Sequence, residues 1–107
     1  MVLKQYQIVL VNLDPTLGSE MKKTRPCLII SPDEMNKYLQ TIVIAPLTSN
    51  SKNYPTRVPV KLNKTKGFIV LDQIRTIDRQ RIVKILDEIS QKEIAAVKTV
   101  INETYVA

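Results

Sequence analysis

The chain has 107 residues, enough for a single domain over 1–107 whose core hides about two thirds of the unfolded surface. Sixteen lysines and arginines stand against ten acids, for a formal charge of +6, and fourteen of those bases but only six of the acids fall in the first 86 residues. Such a basic body suits a polyanionic partner, nucleic acid or an acidic protein, while the lack of histidine and the single cysteine exclude imidazole catalysis, the usual zinc sites and an intrachain disulfide.

Tyr6 to Leu13 is apolar, β-branched and only weakly alternating, which predicts a strand buried on much of both faces, stopped by Asp14-Pro15. Cys27 to Ile30 predicts a second strand with a buried thiol. Ser31-Pro32-Asp33-Glu34 has the pattern of a capping box with proline at the first helical position, so a short helix to about Tyr38 follows. Thr41 to Pro46 is a third strand and Thr56 to Leu62 a fourth, with Pro59 pushing it to a sheet edge or a bulge. Lys64 to Gly67 reads as a turn into a fifth strand, Phe68 to Leu71, and Ile82 to Leu86 is a sixth strand whose spacing also allows helix.

Ser90-Gln91-Lys92-Glu93 is a second capping box, and Ile94, Val97 and Ile101 form one apolar stripe at helical spacing. The expected architecture is mainly β with appended helices: a small barrel or curved antiparallel sheet, a short inserted helix and a C-terminal helix. No apolar run approaches the roughly 18 residues of a membrane span and the N-terminus lacks the order of a signal peptide, so the sequence reads as a soluble cytoplasmic protein without a membrane partner.

No phosphate-binding glycine loop, dinucleotide fingerprint or spaced set of metal ligands is present, and no cofactor or metal is expected. Three polar segments remain, each following a predicted strand. They are the stretch Asn12 to Pro32, with Ser19, Glu20, Lys22, Lys23, Thr24 and Arg25, then Pro46 to Lys52 and Asp72 to Arg79. Each has a plain structural reading: Arg25 pairing with Glu20, Thr48 and Ser49 satisfying a turn, Asp72 capping the turn after it, Lys22 and Lys23 solvated at a loop tip. A converging reading sets arginine, hydroxyls and carboxylates around one phosphate.

In order, Leu13-Asp14-Pro15-Thr16, Gly18-Ser19-Glu20, Arg25-Pro26, Pro46-Leu47-Thr48-Ser49 and Asp72-Gln73-Ile74-Arg75-Thr76-Ile77-Asp78 resemble the signature of MazF/PemK toxins, from about Gln7 to Arg81. The resemblance implies an SH3-like barrel that dimerises, a cognate antitoxin with an acidic flexible tail, and a metal-independent endoribonuclease. Such an enzyme cuts single-stranded RNA or mRNA by 2′-hydroxyl attack, leaving a cyclic phosphate and a 5′-hydroxyl. By the same resemblance Arg25 and Thr48 are the catalytic donors, and Glu20 and Asp72 are acids near the reaction. Ser19, where that family can have histidine, and Val70, where it can have arginine, exclude mechanisms that need those groups.

Ser49, Gln73 and Arg75 are candidate RNA contacts, Lys22, Lys23 and Lys52 candidate phosphate partners, and Tyr54 a stacking residue or a core-facing one. Ser19 sits among the same contacts. The alternatives are a non-catalytic toxin like the gyrase-binding CcdB proteins, or a basic SH3-like RNA-binding module. The stretch Pro15 to Arg25 is expected to form a flap over the RNA groove with Arg25 at its hinge.

Overall fold

The structure is a computed structural model that describes residues 1–13, 24–50, 53–62 and 65–106. The flap segment with Ser19, Glu20, Lys22 and Lys23, and also Lys52 and the turn residue Lys64, lie outside the described residues.

Strands β1 (Gln7–Asn12), β2 (Thr24–Ile29) and β3 (Thr41–Thr48) form a consecutive antiparallel meander, with Ile8 opposite Leu28 and Leu28 opposite Ala45. Strand β7 (Ile82–Glu88) closes one side against β1, so the segment that the sequence left between strand and helix is a strand. The hairpin of β4 (Arg57–Leu62) and β5 (Thr65–Val70) joins the other side, and the path across the sheet runs β4-β5-β3-β2-β1-β7. A short strand, β6 (Arg75–Asp78), lies off that path and pairs with the first half of β3, while β5 pairs with its end. One long strand thus serves two neighbours in succession, and the sheet curls.

Both faces of the meander are covered, which explains the weak alternation of β1. Ile8, Leu28, Ala45 and Leu47 pack on one side with Val58, Val60, Ile69 and Val97 of helix α2 (Gln91–Ile101). Val9, Val11, Cys27, Ile29, Ile42 and Ile44 pack on the other with Ile77 and Ile82. Helix α2 has the capping box read from its sequence: Ser90 Oγ accepts from Glu93 N–H at 3.2 Å and Glu93 Oε1 accepts from Ser90 N–H at 2.8 Å. Its Val97 is fully buried and Ile94, Val100 and Ile101 lean on the same core, as the stripe requires.

The other box does not form. Helix α1 (Asp33–Tyr38) starts after Pro32 without a side-chain cap. Ser31 is instead buried, donating from Oγ to Asn36 Oδ1 and accepting from Val43 N–H at 3.1 Å. A serine that can tie the helix to β3 leaves solvent altogether, and this contact outcompetes a local cap.

Strand limits also differ from expectation where it matters for function. Thr24, Arg25 and Pro26 belong to β2 rather than to the preceding loop, Leu47 and Thr48 extend β3 past Pro46, and Lys66 and Gly67 belong to β5 rather than to a turn. The two prolines are accommodated because each pairs across one side only, Pro26 with Leu10 and Pro46 with Cys27, so the missing N–H costs no ladder bond on the other side.

Candidate active site

The ladder between β2 and β3 runs from Ile29 opposite Ile44 to Cys27 opposite Pro46. Both strands run on two residues past that last pair, to Arg25 and to Thr48, which by strand alternation share the face of Cys27 and Pro46. Thr48 in turn faces Phe68 on β5. Arg25 and Thr48, 23 positions apart in sequence, therefore lie at the same end of two adjacent strands. Both line one cleft of about 300 Å³ at the open end of the sheet, together with Thr24, Pro26, Leu47 and Ser49 and the β4–β5 residues Val60, Leu62, Thr65, Lys66 and Gly67.

The cleft floor is apolar and its rim is polar. Among the described residues the exposed Arg25 guanidinium has no hydrogen-bond or ion-pair partner. Thr48 is half-buried; its hydroxyl donates to the Asn50 carbonyl at 3.1 Å and accepts from Asn50 N–H at 3.3 Å, a local turn that fixes the side chain. Gly67 lies against it so closely that a β-carbon there would stand 3.1 Å from the Thr48 carbonyl oxygen. This is the one described glycine whose missing side chain the site uses, because it lets β5 approach the end of β3.

Below Arg25 on the same face of β2 lies Cys27, whose thiol is pushed up to about 12 by burial, against the opposing pull of the Arg25 and Arg75 guanidiniums. The thiol is a packing group and not a nucleophile. Arg75, on β6 opposite Ile44, thus shares with Arg25 the electrostatic field over this face, and its own guanidinium has no partner among the described residues.

The other sequence candidates are distributed differently. Ser49 lines the cleft. Asp72 does not: in the 3-10 turn Leu71–Gln73 its carboxylate accepts from the Thr56 hydroxyl at 2.9 Å and meets Arg57 Nε at 3.5 Å. Slight desolvation raises its pKa, but the bonds from Thr56, its own backbone and Arg57 outweigh it and hold the group below the usual carboxylate value. Tyr54 does not pack into the barrel; it is about half exposed and lies under the Arg57 guanidinium, 4.8 Å from its ring centroid. Gln73 shares the turn with Asp72 and is exposed. Two contributors to the cleft, Lys66 and Gly67, escape the sequence reading. The alternation of β4 against β5 was the signal, obscured by starting the fifth strand at Phe68 rather than at Thr65.

Among the described residues no group of three or more His, Cys, Asp or Glu side chains is arranged to hold a metal ion. No described helix is long and apolar enough to cross a membrane.

Residues 4–105 match the model of the PemK-like, MazF-like toxins of type II toxin-antitoxin systems. The chain belongs to that family. It is 34% identical to the endoribonuclease MazF of Staphylococcus saprophyticus subsp. saprophyticus, with 94% of this chain and 89% of the relative aligned. The Staphylococcus epidermidis endoribonuclease MazF is 32% identical over the same shares of the two chains. A chain of the crystal structure of MazE-MazF (Form-III) from Deinococcus radiodurans superposes with a TM-score of 0.82 at 26% identity, covering 96% of this chain and 95% of the other. The toxin family, the curled mainly-β sheet and the two helices are therefore as the motifs implied.

Proposed function

We propose that this toxin is a sequence-specific, metal-independent endoribonuclease acting on single-stranded RNA, with Arg25 and Thr48 as its catalytic pair. The observation that supports the reading is one cleft lined by both Arg25 and Thr48, with the Arg25 guanidinium lacking a partner among the described residues. A guanidinium offers a fixed fork of donors to the oxygens of a phosphate gaining charge, and a hydroxyl beside it adds one more.

In the proposed step the ribose 2′-oxygen attacks phosphorus as its proton leaves to a base, the bond to the 5′-oxygen breaks, and that oxygen takes up a proton. The products are a cyclic phosphate and a 5′-hydroxyl. The Thr48 hydroxyl has one proton, now given to Asn50, so it donates to the phosphate by turning away from that carbonyl. Arginine stays protonated and stabilises charge without acting as the base. Glu20 is the proposed base or orienter of Arg25. Asp72, paired with Arg57 and held ionised, braces the turn that presents Gln73, and Ser49, Arg75 and Tyr54 contact the RNA, with Ser19, Lys22, Lys23 and Lys52 completing its path.

The chain is proposed to work as one domain over 1–107 in the cytoplasm, as a homodimer, held inactive by an antitoxin with an acidic flexible tail. The family's toxin-antitoxin description, the structural likeness to a MazE-MazF complex and the basic first 86 residues support that partnership. The test is incubation with long single-stranded RNA in excess EDTA, beside Arg25→Ala and Thr48→Ala, with mapping of the new ends. Cleavage by the wild type alone, leaving 5′-hydroxyl ends, is expected. Intact RNA, or equal cleavage by all three proteins, overturns the catalytic assignment; loss of cleavage in EDTA overturns its metal independence.

A further inference from the structure

The outward face of the β4–β5 hairpin continues the surface on which Arg25 and Thr48 lie. Thr48 faces Phe68, and Phe68 faces Pro59 on β4, so one row crosses three strands as Thr48, Phe68 and Pro59. Two residues further along the hairpin, on the same face, Lys61 stands directly opposite Lys66. The inward residues of the hairpin, Val58, Val60 and Ile69, are buried in the core, whereas Pro59, Lys61 and Lys66 are exposed and Phe68 is half-buried.

Like charges directly opposite on antiparallel strands, with β-carbons about 5 Å apart, repel and destabilise the pair. Nothing among the described residues relieves this one. Neither ammonium has an ion-pair partner there, and Glu93, which reaches β4 from α2, gives its carboxylate to the backbone N–H groups of Lys61 and Ser90 instead. A lysine that blunts an outer strand against edge pairing accounts for Lys61 on β4. It does not account for Lys66, which lies on the inner strand and lines the cleft with Arg25 and Thr48.

We propose that Lys61 and Lys66 form a second phosphate site, holding the phosphodiester next to the one at Arg25 and Thr48 and so setting the direction in which single-stranded RNA leaves the cleft. The inference rests on the ribonuclease reading above. Lys66 is one strand over and two residues along from Thr48, about 8 Å between backbone positions, a span within reach of a flexible four-carbon stem and a neighbouring nucleotide. Phe68, half-buried, lies between the two phosphate positions on that face, where an aromatic ring can stack on the base that joins them. Two ammonium groups at one exposed spot repel when the site is empty and share one counter-charge when a phosphate binds, so the arrangement favours the occupied state.

The test uses the full chain with Lys61→Gln, Lys66→Gln and both together, measuring cleavage of a long single-stranded transcript and binding of a short mixed-sequence single-stranded RNA across a salt series. The double variant is expected to weaken binding about tenfold and to reduce the slope of log affinity against log salt by about 0.7, the value for one phosphate no longer neutralised on a single strand. KM rises, kcat stays within twofold, and the melting temperature holds or increases because a repulsion is gone. An unchanged affinity and salt slope in a protein that still loses cleavage on Arg25→Ala overturns this site while leaving the ribonuclease reading intact. A wild type that neither binds nor cuts RNA overturns both. If the double variant binds RNA normally and instead loses inhibition by polyglutamate, the surface serves an acidic protein segment and the RNA assignment is overturned.

Discussion

Two sets of basic side chains in this molecule have opposite surroundings. Arg79 donates from Nη1 to the carbonyls of Asn36 and Leu39 at 2.8 and 3.0 Å, closing the end of α1, and Arg81 reaches the Asn12 carbonyl at 3.3 Å. Asp78 sits beside them, accepting from Gln80 N–H and the Gln40 amide, which hold its carboxylate below the usual value. At the open end of the sheet Arg25, Arg75, Lys61 and Lys66 have no hydrogen-bond or ion-pair partner for their charged groups among the described residues. Cations that satisfy carbonyls hold the fold, whereas cations gathered on one face without acceptors are free to meet a ligand.

The sharpest way to break this contrast is to truncate one arginine from each set. Arg25→Ala should lower RNA cleavage about 100-fold or more, the scale of losing one donor to a developing oxyanion, and move stability by less than about 0.5 kcal/mol. Gel-resolved initial rates beside a thermal melt check both halves. Arg79→Ala should do the reverse, removing two charge-assisted bonds at a cost of about 1.5 kcal/mol and lowering the melting temperature by about 8 °C, with cleavage by the folded protein unchanged. A fall in activity without a fall in stability would assign Arg79 to the site.

Glu93 tests how far the structural side reaches. Partial burial raises its pKa, but the backbone bonds from Ser90 and Lys61 and the contact with the Ser90 hydroxyl lower it further, so the folded value lies below the unfolded one. Its contribution is therefore complete above the unfolded carboxylate value, about 4.3, and is lost as pH falls through the folded value. Glu93→Gln should cost about 1 kcal/mol near neutral pH and flatten this part of the acid dependence, measured by urea unfolding across pH.

Asp72 should show the smallest effect. Its bond to Arg57 is partly exposed, with side-chain accessibilities of 18% for the arginine and 35% for the aspartate, and solvent-screened pairs contribute from about 0.2 to 1 kcal/mol. Asp72→Asn is expected to reduce cleavage by less than about threefold, or 0.65 kcal/mol. A loss comparable to that of Arg25→Ala would move Asp72 into the catalytic group.

Much of this was legible along the chain. The β-branched runs marked six of the seven described strands, Ser90 and Glu93 marked α2 and its stripe, and the ordered motifs around Arg25, Thr48 and Asp72 pointed to the toxin family. The misreadings share a cause. Arg25, Thr48 and Lys66 were placed in loops or turns because polar residues and prolines stop strands in isolation, yet each lies inside a strand whose neighbours supply the missing restraint. The Arg75 to Asp78 segment is a strand for the same reason: its partner, the first half of β3, holds it extended.

Local chemistry thus determined which residues were apolar, which helix could cap itself and which side chains had the chemistry of phosphate recognition. Only the tertiary structure decided which of those side chains meet. Cross-strand register is set by which faces are buried, over a span of chain no local pattern records. It brings Arg25 and Thr48 to one cleft, places Lys61 against Lys66, and leaves Asp72 with Arg57 rather than in the cleft.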